Sequence, residues 1–244
     1  MNSKWKNEKT VVMQAGGLFS THRSGTLRRA GDHLGNNRVV VSVTNSSVVT
    51  IDEESRRNII NTLTKDEAKY VTFKKDGTLD TKTLNKNESD SENFAALKTL
   101  ANSETKYNFM VSDKDLQGKS FTAEMKEGEN FYYGVTSVPN GEDAPSPDNM
   151  VYVITSSLLS EGKQAENTAH EGFGHAYFYE LSKKDKTIDP WHRYKNQIIK
   201  VWNPSEQMND FEMTFIPTNT RLENQIRIVT SQAIVNFYNK KSKK

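Results

Sequence analysis

The hydrophobic positions of this chain are spaced first as in strands and then as in helices. Short β-branched or alternating runs at 106–111, 132–138 and 150–155 predict β-strands. Apolar residues then recur at spacings of three and four over 161–181 and again over 222–238, which predicts two helices. Strands combined with long helices indicate an α+β fold in which helices pack on a sheet.

The first half of the chain carries shorter patterns. Two β-branched runs within 38–51 predict a hairpin or a strand with a bulge, and 52–63 predicts a short helix or turn. An alternating run at 70–73 predicts a strand, and 79–84 is expected to pair with it across a Lys-Asp-Gly turn. Helical spacing behind capping residues predicts a short amphipathic helix over 89–103.

These patterns divide the chain into three parts. Residues 1–37 are polar, Gly-containing and locally basic without a sustained period, which predicts an irregular basic arm. Residues 38–239 are expected to form a single domain, and 240–244 a basic tail. Within the domain, 120–125 is a further strand candidate, and 197–202 fits either a strand or a helix.

Composition narrows the chemistry. The 244 residues include 33 Lys and Arg against 31 Asp and Glu, and a net charge of +2 gives no general attraction to nucleic acid or to an anionic membrane. Neither is therefore expected as a partner. The absence of cysteine excludes disulfides, thiolate nucleophiles and Cys-ligated metals, so a metal site would have to use His, Asp or Glu.

The chain shows no targeting pattern of the secretory type. Its first ten residues are polar and lysine-bearing, and no apolar run approaches the ~20 residues of a membrane span. These features predict a soluble protein without a signal peptide that is cytoplasmic at synthesis. Association with a virion, or export by a non-classical route, stays open.

The segment from His170 to His175 carries the strongest chemical signal. Two histidines flank Glu171 and two glycines, but they are five residues apart, whereas helical zinc motifs place them four apart. On a regular helix, five residues subtend about 500°, which leaves the two imidazoles roughly 140° apart. A π-type bulge near Gly172 and Gly174 would bring them together, because i to i+5 bonding returns the fifth residue to the side of the first.

The motif also resembles a known one. His170, Glu171, Gly174 and His175 form the pattern His-Glu-x-x-Gly-His, which resembles the zinc motif of the dipeptidyl peptidase III type of metallopeptidase. The longer stretch 134–177 is similar to a metallopeptidase-like domain found in Rhs-repeat-associated and phage-type proteins of Bacteroides relatives. The resemblance implies a zincin-like mixed sheet with the active-site helix packed on it and a Zn²⁺ cofactor, and it implies no particular substrate.

The motif suggests roles for individual residues. His170 and His175 are the expected zinc ligands through neutral imidazoles, and Glu171 is the expected catalytic residue, which takes a proton from the attacking water. His192 is the preferred third ligand, because it follows the helix in a turn-like Asp-Pro-Trp-His context and no later histidine exists. Glu223 is the alternative, because the dipeptidyl peptidase family supplies a glutamate from a later helix.

Two classes of function fit these residues. The first is a zinc-dependent metallopeptidase or amide hydrolase that acts on a peptide or protein substrate. The second is a non-catalytic zincin-like structural or interaction module, such as a phage virion component or a toxin-associated domain. A chance pattern or a closed structural metal site would also produce the two histidines. For the hydrolase, Tyr177 or Tyr194 could stabilise an oxyanion. The sequence does not indicate the oligomeric state of either kind of protein.

Overall fold

A computed structural model describes residues 46–122, 133–141, 145–203, 205 and 208–242, and before residue 46 it describes only the backbone of four strands. These strands are β1 (Thr10–Gln14), β2 (Leu18–Thr21), β3 (Leu27–Arg29) and β4 (Arg38–Ser42). They form one sheet in the order β1-β4-β2-β3. The arm is therefore not irregular throughout, as the sequence had suggested. The three strands of the arm are three to five residues long, which is too short for a clear period in the sequence. They pair with one another or with β4, and a strand's own sequence does not show its partner.

A second, mixed sheet carries the domain that the sequence predicts. It consists of β5 (Val48–Thr50), β6 (Tyr107–Ser112), β7 (Gly134–Ser137) and β8 (Val151–Ser156), in the order β5-β6-β8-β7. β5, β6 and β8 are parallel, and β7 is antiparallel to β8 at one edge. The predicted strands at 106–111, 132–138 and 150–155 are confirmed as β6, β7 and β8.

The hairpin or bulged strand predicted within 38–51 is wrong. β4 pairs with β1 and β2, whereas β5 pairs with β6 in the other sheet. The two β-branched runs thus belong to different sheets. Adjacent β-branched runs favour strands, but the partner of each strand is decided by contacts with distant residues.

The strand pair predicted at 70–84 is confirmed only as far as one antiparallel bridge. Phe73 and Leu79 form a single bridge, after which the chain turns into helix α3 (Thr81–Leu84), preceded by α2 (Lys65–Ala68). The Asp80 side chain accepts hydrogen bonds from the Lys82 backbone N–H and from the Thr83 hydroxyl. This local cap stabilises a helical turn where a strand would otherwise continue.

Two other predicted helices are confirmed. These are α1 (Glu53–Asn61) and α4 (Glu92–Ala101). Asp52 is the N-cap of α1 and accepts a hydrogen bond from the Ser55 backbone N–H, and Ser91 is the N-cap of α4. The strand predicted at 120–125 is reduced to one bridge between Ser120 and Lys114, and its last three residues lie outside the described part of the chain.

The predicted helix at 161–181 is confirmed as one continuous helical rod. It runs through α5 (Glu161–Thr168), a π-helix (Ala169–Ala176) and α6 (Tyr177–Ser182). The π-helix lies against β7 and β8 on one side and against the last helix on the other. Its Phe173 is fully buried and packs at 6.4 Å, between ring centroids, from Phe109 of β6. The rod therefore occupies the centre of the core.

The C-terminal part consists of a β-ribbon and a long helix. β9 (Tyr194–Asn203) pairs antiparallel with β10 (Met208–Pro217), and α7 (Thr220–Lys241) follows directly. The prediction at 197–202 is thus resolved as a strand. β10 was missed because its polar residues obscure the alternation. The residues of α7 that pack inward are Leu222, Ile226, Val229, Ala233 and Phe237. Within the described ranges, no helix combines the length and apolar character needed to cross a membrane.

Candidate metal centre

The motif helix has the unusual winding that its histidine spacing requires. All residues from Ala169 to Ala176 are π-helical, so the predicted π-type bulge is confirmed and extends over eight residues. At its end the Tyr177 backbone N–H donates to the Gly172 carbonyl, five residues back. Two carbonyls of this segment accept hydrogen bonds from outside the helix: Thr136 Oγ1 donates to the Glu171 carbonyl at 2.9 Å, and Gln225 Nε2 to the Phe173 carbonyl at 3.3 Å. Side chains from β7 and α7 thus support the wider helix.

The two glycines of the motif permit close packing. A Cβ at Gly172 would lie 2.6 Å from Cε1 of Phe109, and a Cβ at Gly174 would lie 2.6 Å from Cγ1 of Ile226. Neither glycine has a positive φ, so an L-residue could adopt the backbone conformation of both. The reason for glycine at both positions is therefore steric: the sheet and α7 approach the π-helix too closely for a side chain.

The π-turn brings the two motif histidines into contact. Nε2 of His170 lies 3.2 Å from Nε2 of His175, and their ring centroids are 5.0 Å apart. Two nitrogens bound at about 2.0–2.1 Å to one tetrahedral ion would be about 3.3 Å apart. The observed separation is thus close to that of two ligands of a single zinc ion.

His192 completes a cluster of three imidazoles. It lies in the loop between α6 and β9, with ring centroids 5.5 Å from His170 and 4.8 Å from His175. One ring nitrogen from each of the three histidines lies within 4.8 Å of the others. Because a tetrahedral set has separations of about 3.3 Å, the half-buried His192 ring would move inward to join a common ion.

Glu223 contacts the cluster through His192. Its Oε1 lies 2.6 Å from Nδ1 of His192, so the ring N–H donates to the carboxylate and Nε2 remains for a metal. Glu223 stands in the first turn of α7, where Asn219 caps the helix. The geometry suits a carboxylate that orients a ligating histidine, a common arrangement around bound zinc.

The ring of His175 is held in a comparable way. Its Nδ1 lies 2.6 Å from the Pro190 carbonyl, which can accept the ring hydrogen, and its face stacks on Trp191 at 5.7 Å between centroids. With Nδ1 occupied, Nε2 is the nitrogen that faces His170. The loop that carries His192 therefore also orients His175.

Glu171 is buried beside the cluster. Its Oε2 lies 2.8 Å from the Thr136 hydroxyl of β7, the strand at the edge of the sheet. Burial raises the pKa of Glu171, and the nearby His175 and His192 oppose that shift. Because the Thr136 hydroxyl has one proton and two acceptors in reach, a protonated Glu171 can donate to Oγ1 while Oγ1 donates to the Glu171 carbonyl.

The motif histidines are neutral at physiological pH. Burial and, to a smaller extent, the neighbouring His192 together lower the pKa of His170 to about 4, although Glu223 opposes the shift. Burial likewise lowers the pKa of His175 to about 4, although Glu171 opposes the shift. Neutral imidazole is the form that binds a metal, so the folded chain holds both rings ready for coordination.

A cleft of about 920 Å³ opens onto the cluster. All three histidines and Glu171 line it, as do β7 and the start of the loop at Pro190. A volume of this size is typical of small-molecule binding sites. Tyr177 and Tyr194, the two tyrosines suggested for oxyanion stabilisation, are not among its lining residues, although the Tyr194 ring stacks on His192 at 5.9 Å.

The structure brings together every residue that the motif singled out. His170, His175 and His192 form the cluster, Glu171 lies beside it, and Glu223 contacts it from outside. Two residues of the site were not expected from the sequence, namely Thr136 and Pro190, which lie within hydrogen-bond distance of Glu171 and His175. No local signal marks Thr136, whereas Pro190 stands only two residues before His192.

Comparisons with known proteins add no relative. No protein-family model, no curated protein and no solved structure matches this chain. The resemblance to metallopeptidases stays a resemblance of the motif and its flanking segment, and the case for a function depends on the geometry of the cluster.

Proposed function

We propose that this protein is a zinc-dependent hydrolase of peptide or related amide bonds. The observation that carries the proposal is the convergence of three imidazoles beside a buried glutamate in an open cleft. His170, His175 and His192 would hold the ion through Nε2 atoms, and three protein ligands with an open fourth position are typical of catalytic zinc.

The position of Glu223 favours a catalytic over a closed structural site. A fourth protein ligand would exclude substrate, and Glu223, which the sequence offers as the alternative to His192 for the third ligand, is the carboxylate nearest to that role. Its carboxylate is engaged by Nδ1 of His192, on the side of that ring away from a metal at Nε2. The fourth position would then face the cleft, where water and a substrate carbonyl can enter.

The chemistry assigned to this chain centres on Glu171. A bound zinc ion would polarise the substrate carbonyl and lower the pKa of water. A cation nearby favours the ionised form of a carboxyl, which offsets the rise in the pKa of Glu171 caused by burial. Glu171 would then accept a proton from the water that attacks the carbonyl carbon. It would return that proton to the amide nitrogen as the C–N bond breaks, releasing a carboxylic acid and an amine, which then exchange a proton to give a carboxylate and an ammonium group.

The sheet edge supports a peptide as the substrate. β7 is an outer strand that lines the cleft, and no described strand pairs with its free edge. The free edge of an outer strand offers backbone donors and acceptors to which an extended peptide can bind as an additional strand, and the partly exposed Gly134 and Val135 of β7 lie in the cleft. Thr136 of the same strand contacts Glu171, so a peptide bound there would lie next to the catalytic group.

Metal analysis together with activity measurement tests the proposal. The wild-type protein, prepared without chelator, is expected to contain about one zinc per chain and to cleave unstructured peptides. His170→Ala should lose the zinc, whereas Glu171→Gln should keep it and lose nearly all hydrolysis. A protein that takes up no zinc would refute the proposal. Stoichiometric zinc with activity unaffected by Glu171→Gln would support the alternative of a non-catalytic module.

A further inference from the structure

The β9–β10 ribbon exposes apolar side chains where a polar surface is expected. We call Tyr194, Ile198, Met213 and Phe215 the apolar stripe; they are 55%, 67%, 63% and 62% exposed. More than half of the surface of each of these residues is left in contact with solvent. Exposed apolar patches of this kind usually mark an interaction site.

The register of the ribbon places the stripe on one face. Ile198 lies directly opposite Met213, Phe215 opposite Asn196, and Tyr194 opposite Pro217. Directly opposed residues share a face, as do residues two apart along a strand. The stripe is therefore continuous, and from Tyr194 to Ile198 it spans about 14 Å, the length of about four residues of extended peptide.

The stripe begins at the candidate metal centre. Tyr194 follows His192 by two residues, and their rings stack at 5.9 Å with an angle of 22°. The base of the ribbon is fixed to the same loop. Asn219 Nδ2 donates to the carbonyls of Asp189 and Trp191, both at 2.8 Å, and the Thr218 N–H donates to the Arg193 carbonyl at 2.7 Å. A ligand on the stripe would thus lie at a defined position relative to the cleft.

The size of the stripe favours a peptide segment over a second copy of the chain. Four side chains exposed to this extent offer on the order of 500 Å² of surface. A stable protein–protein interface of standard size uses about 800 Å² on each partner. The stripe falls short of that area, but it matches a short extended segment with apolar side chains.

We propose that the ribbon is a substrate-binding arm, whose apolar stripe holds an extended apolar segment of a polypeptide substrate while an adjoining peptide bond occupies the metal cleft. This inference rests on the proposed hydrolase and specifies its substrate class, namely unfolded or unstructured chains with apolar runs. Remote binding of this kind positions the reacting bond and raises the efficiency of cleavage.

Peptide binding without cleavage tests the arm. The probes are two fluorescein-labelled peptides of about ten residues, one with an apolar run of about four residues and one with serines at those positions. Glu171→Gln protein is used so that the peptide survives, and fluorescence anisotropy gives Kd. Adding Ile198→Ser, Met213→Ser and Phe215→Ser together should weaken binding of the apolar peptide at least about tenfold.

A matched variant controls for the loss of apolar surface elsewhere. Ile51, Ile228 and Val235 are 62%, 40% and 56% exposed and lie outside the ribbon. Their joint replacement by serine should leave Kd unchanged. The single change Ile198→Lys, which places a charge on the stripe without removing its other members, should also weaken binding. Circular dichroism of each variant establishes that the fold is retained.

The outcomes distinguish the proposed substrate-binding arm from the proposed hydrolase activity. Equal affinity for both peptides, or equal affinity of the ribbon variant and its control, would overturn the arm even if the protein proves to be an active zinc hydrolase. A dimer in sedimentation that the ribbon substitutions dissociate would also overturn it, since a second copy would then be the occupant. Peptide affinity is measured both with added zinc and without it. A chain that binds no zinc would refute the proposed hydrolase activity, whereas the affinity measured without zinc would still test the stripe.

Discussion

Oε1 of Glu223 lies 2.6 Å from Nδ1 of His192, and this contact joins the start of α7 to the loop that completes the histidine cluster. The two residues were alternatives for one role in the sequence, that of third ligand. Their contact suggests different roles, with His192 as ligand and Glu223 as the group that orients it.

Replacing Glu223 should therefore weaken metal binding without abolishing it. Glu223→Gln keeps the shape of the side chain but removes the charge that stabilises the ring N–H, so zinc affinity should fall by about 10- to 100-fold. His192→Ala should cost considerably more. Competition with a chromogenic chelator gives both affinities. If Glu223→Gln were as damaging as His192→Ala, Glu223 would itself be a ligand.

Thr136 should act as a positioning residue for Glu171. Thr136→Val removes the hydroxyl that lies 2.8 Å from Oε2 while preserving the shape of the side chain. We expect kcat for peptide hydrolysis to fall by about 10- to 100-fold, because the carboxyl loses its fixed orientation, with zinc content unchanged. Thr136→Ser, which retains the hydroxyl, should recover most of the activity. A serine variant as impaired as the valine variant would assign the effect to packing.

Glu171→Gln should stabilise the metal-free protein. Burial raises the pKa of Glu171, so the folded chain retains a proton that the unfolded chain releases, and stability declines as pH rises above the ordinary value of 4.5. An uncharged glutamine avoids this loss. The melting temperature of metal-free Glu171→Gln at pH 8 should exceed that of the wild type by a few degrees, with a smaller difference at pH 4. An unchanged or lower melting temperature at pH 8 would contradict this account.

The two motif histidines should make the metal-free protein sensitive to acid. Burial lowers the pKa of both His170 and His175 from 6.5 to about 4, so between these values the unfolded chain binds protons that the folded chain excludes. Stability is thus complete above about pH 6.5, falls as pH decreases towards 4, and levels off below. Urea unfolding at pH 7, 6 and 5 should show a smaller loss in the His170→Asn, His175→Asn double variant. Equal losses in both proteins would assign the acid sensitivity to other groups.

Gly174→Ala should destabilise the fold through a clash with α7. The new Cβ would lie 2.6 Å from Cγ1 of Ile226, and overpacking of this kind typically costs about 1–3 kcal/mol. Ile226→Ala removes the clashing atom, so the double variant should be more stable than the sum of the two single effects predicts. Denaturant unfolding of the four proteins measures the coupling. If the effects of the two substitutions on the free energy of unfolding simply added, glycine would be needed at position 174 for its backbone conformation and not for the space next to Ile226.

Much of the fold was visible in local patterns. The rod over 161–182 and α7 were predicted because apolar residues recur at helical spacing over several turns. β6, β7 and β8 were visible as short apolar runs. The errors concern pairing, as with the hairpin predicted within 38–51, because a β-strand shows its own pattern but not its partner.

The segment from His170 to His175 shows where sequence and tertiary structure divide. The sequence alone determined that two histidines five residues apart need a π-turn to share one ion, because this follows from helical geometry. Only the tertiary structure decided which distant groups meet them: His192 from a loop, Glu223 from α7 and Thr136 from β7. The tertiary structure also explains the two glycines. The sheet and α7 pack too close to the π-helix for a side chain at either position, and that distance depends on packing and not on local sequence.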